Sequence, residues 1–171
     1  MTDFIYRPRS GEEVINASPS GTKLFLYSDL VRRARSPQAL LRILGRNNLI
    51  LVQDPRKMNS GHWTSLSFIP TQRKAYFFSS YGGKPDEEKV RWISYEELQA
   101  SGQLPNIIND LLKYLYLKGW EIHYNDYPYQ VEGDRTATCG IWASAFMNSG
   151  ENPDEFAKDH EDVSYYYRKN F

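Results

Sequence analysis

The chain reads as one α+β domain, a central, mainly antiparallel sheet flanked by helices, and three observations predict it. Residues 62–79 hold two apolar, strand-like runs on either side of Pro70-Thr71-Gln72-Arg73-Lys74, the pattern of an antiparallel hairpin. On both sides of it, over 28–44, 107–117 and 141–147, apolar residues recur at helical spacings or in a helix-compatible run. No internal repeat and no linker divides the 171 residues, a length that suits a single body able to bury its own core.

The elements follow in order. Residues 1–23 are rich in Pro, Ser, Gly and charge and read as an irregular N-terminal arm, with one helical turn near Gly11-Glu12-Glu13-Val14-Ile15. From Ser28 to Leu44 the residues Leu30, Val31, Ala34, Leu40, Leu41 and Leu44 predict two short helices broken at Ser36-Pro37, where proline opens the second. Arg32, Arg33 and Arg35 read as a solvated face. Asn48 to Gln53 is a short buried strand, and 54–61 a loop by its turn residues. In the strand 62–69, alternation puts Trp63 and Ser65 on one face and His62, Thr64, Leu66 and Phe68 on the other. Ala75 to Ser79 returns beside it and brings Ser79 near His62 across the hairpin's open end. Ser94 caps a helix with Glu97 at the capping-box position. A packing helix runs over 107–117 and stops at Gly119; Trp120 to Asn125 is a fourth strand. Residues 126–130 then cross to a loop at 132–137, a helix follows at Cys139, and Asn152-Pro153 opens a last helix.

Composition narrows the chemistry. Lys plus Arg and Asp plus Glu both number 21, so no global field favours nucleic acid or a membrane surface. The single cysteine excludes an internal disulfide and the Cys-rich zinc sites, and points to a reducing compartment with an unliganded thiol; no cofactor or metal is expected. Neither a signal-peptide core nor a membrane-length apolar run is present, so the expected location is intracellular or inside a virion, with no membrane partner.

Cys139 opens the run Gly140-Ile141-Trp142-Ala143, and a thiol in the first turn of a helix faces unpaired N–H groups and the positive end of the helix dipole, which favour the thiolate. Its bland reading is a small buried hydrophobe. Thiol catalysis also needs a histidine to take and return the proton, donors for the oxyanion, and often a third group on the imidazole. Of the three histidines, His123 lies in a strand-like stretch and His160 in a charged tail, where structural or solvated roles fit; His62 stands at a loop-to-strand junction. With Cys139 it can form a thiolate–imidazolium couple, the thiol pKa falling well below its free value of about 8.5. Gln130 offers an amide that, with the Cys139 N–H, can receive the oxyanion.

At these residues the sequence resembles a known family. His62-Trp63 after a strand and loop, an aromatic strand leading to Ser80-Tyr81-Gly82, then Gln130 and Thr138-Cys139-Gly140-Ile141-Trp142 are similar to the adenovirus-proteinase and ubiquitin-like-protein-protease superfamily of cysteine proteases. The order His, acid, Gln, Cys is that family's and reverses papain's. The resemblance covers residues 48–150. It implies a mixed sheet between helices, His62 as general base and acid, Cys139 as nucleophile and Gln130 in the oxyanion hole. It also implies that Trp63 lines the substrate groove, with the tyrosines near 124–129, Tyr129 among them, and that Gly140 permits close packing of helix and sheet.

One position departs from the pattern: Ser79 stands where the family usually has Asp or Glu. A hydroxyl can fix the imidazole's tautomer but cannot neutralise the imidazolium. A Cys–His dyad steered by Ser79, a carboxylate brought in from elsewhere such as Asp126 or Asp134, and a weak or inactive relative are the three readings left open. The implied substrate is a protein or peptide cut at small or Gly-containing sites. The compact chain is similar to virus-encoded members that cut capsid or core precursors. The alternatives are a deconjugating protease for ubiquitin-like modifiers and a non-catalytic peptide-binding module. Some relatives require a peptide or DNA activator, and that question stays open too.

Overall fold

The computed structural model describes residues 9–57, 60–130 and 138–159. In chain order its elements are α1 (Gly11–Asn16), β1 (Lys23–Leu26), α2 (Tyr27–Arg33), α3 (Pro37–Ile43), β2 (Asn47–Gln53), β3 (Gly61–Ile69), β4 (Lys74–Ser79), α4 (Lys89–Trp92), α5 (Tyr95–Ala100), α6 (Ile107–Leu117), β5 (Glu121–Tyr124), α7 (Cys139–Ser149) and α8 (Pro153–Asp159). Local chemistry accounts for the helix starts. Ser94 and Glu97 form the capping box expected of them, Ser10 and Glu13 form a second one ahead of α1, and Pro37 and Pro153 take first helical positions.

The strands stand in one five-stranded sheet in the order β1-β2-β3-β4-β5. β2, β3 and β4 form an antiparallel meander, while β1 pairs with β2 and β5 with β4 in parallel. The sheet is therefore mixed, with antiparallel pairing confined to its centre. Each outer strand is separated from its neighbour by helices, α2 and α3 on one side and α4 to α6 on the other, and only such crossovers allow a parallel pair.

Helices cover both faces. On one, Leu30, Leu40, Leu98 and Leu111 pack with Ile50, Leu66 and Phe77; on the other, Val14, Ile141, Phe146 and Phe156 pack with Leu49, Trp63 and Phe78. This double cover leaves β3 buried from His62 through Phe68 and separates Trp63 from Leu66 and Phe68 as alternation requires. Two features differ from the sequence reading. β1 is a strand where none is legible, because one exposed and three half-buried residues run straight into α2 without a turn residue and owe their conformation to pairing with β2. α4 is a helix where no element was read, while the helical turn read near Gly11 to Ile15 is α1, with Val14 fully buried in the second core; residues 1–8 lie outside the described residues.

Candidate active site

Two distant segments meet at one peptide unit. Cys139 is the first residue of α7, and the backbone N–H groups of Trp63, Gly140 and Cys139 itself favour the charged form of its thiol. The Trp63 N–H belongs to the peptide that links it to His62, so the thiol lies against the start of β3. Gly140 makes the approach sterically feasible: a Cβ there would sit 2.7 Å from Val14 Cγ2 and 3.2 Å from Trp63 Cδ1. The close packing expected of Gly140 is thus between α7, the sheet and α1 together.

His62 is 1% exposed, and its ring is held on one face and at one nitrogen. Tyr81 stacks on it with centroids 3.7 Å apart and planes 7° from parallel. Nε2 lies 2.8 Å from Ser79 Oγ, and that hydroxyl donates its proton to Glu88 Oε2 at 2.6 Å. Because Ser79 has one proton and gives it to Glu88, Nε2 must donate its own N–H to Ser79. In the neutral ring Nδ1 is then the unprotonated nitrogen; it is buried and has no hydrogen-bond partner among the described residues. No hydrogen bond joins Nδ1 to the thiol in this state.

Register explains the arrangement. Ser79 pairs with Thr64, which makes it diagonal to His62 on the same face of the hairpin, and extending the ladder by two residues brings Tyr81 opposite His62. Asn125 at the end of β5 clamps Ser79 by accepting from its N–H at 3.0 Å and donating to its carbonyl at 2.6 Å.

The carboxylate that reaches this cluster is Glu88, 3% exposed, with Oε1 3.6 Å from His62 Nε2. It is neither of the two candidates suggested by sequence: Asp126 is exposed and Asp134 lies outside the described residues. Glu88 has no signal in the sequence, since Asp86-Glu87-Glu88-Lys89 is a run of charges of the kind that solvent normally covers. Tertiary structure buries three of the four. Lys89 donates to Tyr27 Oη at 2.9 Å and to the carbonyls of Gln103 and Pro105 at 2.9 and 2.8 Å, and Asp86 accepts from the Asn109 N–H at 2.8 Å. Lys89 and Asp86 lie 3.9 Å apart, and Asp86 takes a left-handed backbone (φ 69°) that aspartate tolerates.

The electrostatics correct one expectation. Burial pushes the Cys139 thiol up, the Glu88 carboxylate adds to that, and the N–H groups of Trp63, Gly140 and Cys139 pull it down without offsetting the burial. A lowered thiol pKa was expected from the helix terminus, but Cys139 is buried and desolvation of a thiolate outweighs the dipole. Burial likewise lowers His62 to about 3. The state described is a neutral thiol and a neutral imidazole.

The remaining candidates divide. Gln130 is 7% exposed and stands beside the His62 end of the sheet, its N–H donating to the Ser80 carbonyl and its side-chain oxygen accepting from the Ser80 hydroxyl, both at 2.9 Å. That contact orients the amide. Trp63 is 7% exposed and buried between α1 and α7, rather than forming an open wall. Tyr129 packs in an aromatic cluster, with ring centroids 4.4 Å from Trp142 and 5.5 Å from Phe78, and burial pushes its phenol up. His123 faces Glu121 and Asp154 at the far edge of the sheet, and His160 lies outside the described residues. Among the described residues no group of three His, Cys, Asp or Glu side chains could hold a metal ion, and no helix is long and apolar enough to cross a membrane.

Fold and site together define an α+β protein with a mixed five-stranded sheet, in which a cysteine opening a helix faces the backbone of a central strand that carries a buried histidine near its start. No protein-family model matches the chain. Over 161 residues, 93% of this chain and 86% of the relative, it is 26% identical to a viral protein, "Uncharacterized protein V9" of Sputnik virophage.

Proposed function

We propose that this protein is a virus-encoded cysteine endopeptidase of the adenovirus-proteinase type, acting on capsid or core precursors inside the infected cell or the particle. The observation that carries the reading is that the Cys139 thiol faces the backbone N–H of Trp63, the residue that follows His62, while the His62 Nδ1 lone pair is buried and unused. The likeness to a virophage protein supports the viral part. In the reaction, Cys139 Sγ attacks the substrate carbonyl while His62 Nδ1 takes the thiol proton. The carbonyl becomes an oxyanion that the Gln130 amide and the Cys139 N–H receive. Collapse expels the amine with the proton from Nδ1, and a water activated by the same nitrogen releases the acyl group.

The raised thiol pKa favours a second reading, a groove that binds peptides without cutting them. A peptidyl Michael acceptor ending in glycine separates the two, since Cys139 is the chain's one cysteine and intact mass reports its labelling. Labelling at pH 7 that falls about 100-fold or more in His62→Ala is the expected result. Labelling no faster than that of a free thiol, and unchanged in His62→Ala, would overturn the endopeptidase reading.

A further inference from the structure

We infer that Glu88 positions the imidazole of His62 through the hydroxyl of Ser79, a two-link relay in place of a direct carboxylate; this role rests on the hydrolase reading above. Three observations carry it. The links are short and buried, 2.8 Å from Nε2 to Ser79 Oγ and 2.6 Å from Oγ to Glu88 Oε2, with Ser79 0% and Glu88 3% exposed. Every position on Ser79 Oγ is used, since it gives its proton to Glu88 and accepts from Nε2 and from the Tyr81 N–H at 3.2 Å. The direction of the relay is therefore set by the carboxylate. Finally, the segment that delivers Glu88 is anchored on both sides of it: Asp86 and Lys89 are buried under Tyr27, whose hydroxyl donates to Asp86 at 2.7 Å.

The relay does two things for the thiol chemistry proposed above. It holds the neutral ring in the tautomer with hydrogen on Nε2, which leaves the Nδ1 lone pair as the base. When Nδ1 takes the thiol proton, Nε2 keeps its hydrogen and no proton moves along the relay. The ring becomes an imidazolium with the Glu88 carboxylate 3.6 Å away. Ser79 supplies direction and Glu88 supplies charge, so neither substitutes for the other. Among the described residues, the charged and titratable groups placed against the ring are Glu88 from the segment before α4 and Tyr81 after β4.

The test uses Ser79→Ala, Glu88→Gln and the double variant of the full chain. Glu88→Gln preserves shape and removes charge; Ser79→Ala removes one oxygen and serves if the glutamine variant does not fold. The expected result in long-range ¹⁵N–¹H spectra is a His62 ring protonated at Nε2 in the wild type and a mixture of tautomers in each variant. Labelling by the glycine-ended acceptor is expected to fall about 100-fold in each single variant and no further in the double, because the two residues act as a unit. Wild-type tautomer and wild-type labelling in both Ser79→Ala and Glu88→Gln, with His62→Ala unreactive, overturn the relay and leave the hydrolase reading intact. Labelling indifferent to His62 overturns the hydrolase reading instead, while the spectra still decide whether the relay sets the tautomer.

Discussion

Gly140→Ala should loosen the site from outside the chemistry, and its effect can be worked from two distances. The added methyl would lie 2.7 Å from Val14 Cγ2 and 3.2 Å from Trp63 Cδ1, against an ordinary carbon–carbon separation of about 3.5–4.0 Å. Val14 has to retreat by roughly 1 Å in a core where it is 0% exposed. Overpacking of this kind costs about 1–3 kcal/mol, offset by at most about 1 kcal/mol from replacing a helical glycine by alanine. The net loss is about 1–2 kcal/mol, a fall in Tm of roughly 3–6 °C for a domain of this size. Val14→Ala removes the closer obstacle, so adding Gly140→Ala to it should be nearly free, a coupling of at least about 1 kcal/mol. Thermal melts of the four members of this cycle, followed by tryptophan fluorescence to report Trp63, give the answer. Strictly additive melting temperatures would refute the claim that α1, β3 and α7 share this contact.

Two further outcomes follow from buried charge. His62 is held at about 3 by burial against about 6.5 unfolded, so the unfolded chain binds its proton first and stability falls as pH drops below 6.5, by roughly 2 kcal/mol at pH 5. Urea midpoints between pH 7 and 5 should show that slope in the wild type and lose it in His62→Gln; equal slopes would contradict a neutral buried ring. Lys89, lowered to about 8 by burial, bonds the Gln103 and Pro105 carbonyls and faces Asp86, so Lys89→Met should cost about 3–5 kcal/mol in urea unfolding and displace Glu88. A cost under about 1 kcal/mol would show that the network does not anchor the segment.

Much of the fold was legible in the sequence because its signals are local. Apolar spacing, Ser94 with Glu97, and Pro37 and Pro153 mark helices whose boundaries depend on a few adjacent residues, and the alternation in 62–69 sets which side of the sheet each residue takes. The nearness of Ser79 to His62 was legible from the hairpin, whereas the order of blocks that groups Gln130 and Cys139 with them was read through resemblance. β1 was not legible, since four residues without a turn acquire strand geometry from their partner.

What the sequence determined by itself is most of the helices, the central strands and the polar residues available at their ends. Tertiary structure alone decided which carboxylate reaches His62 and which protonation states the pair adopts. Glu88 looks like surface charge until Asp86 and Lys89 fold beneath Tyr27 and carry it inward, and Cys139 looks activated by its helix until the protein packed around it removes the water a thiolate needs. Both depend on desolvation, which is a property of everything packed around a group rather than of its neighbours in the chain.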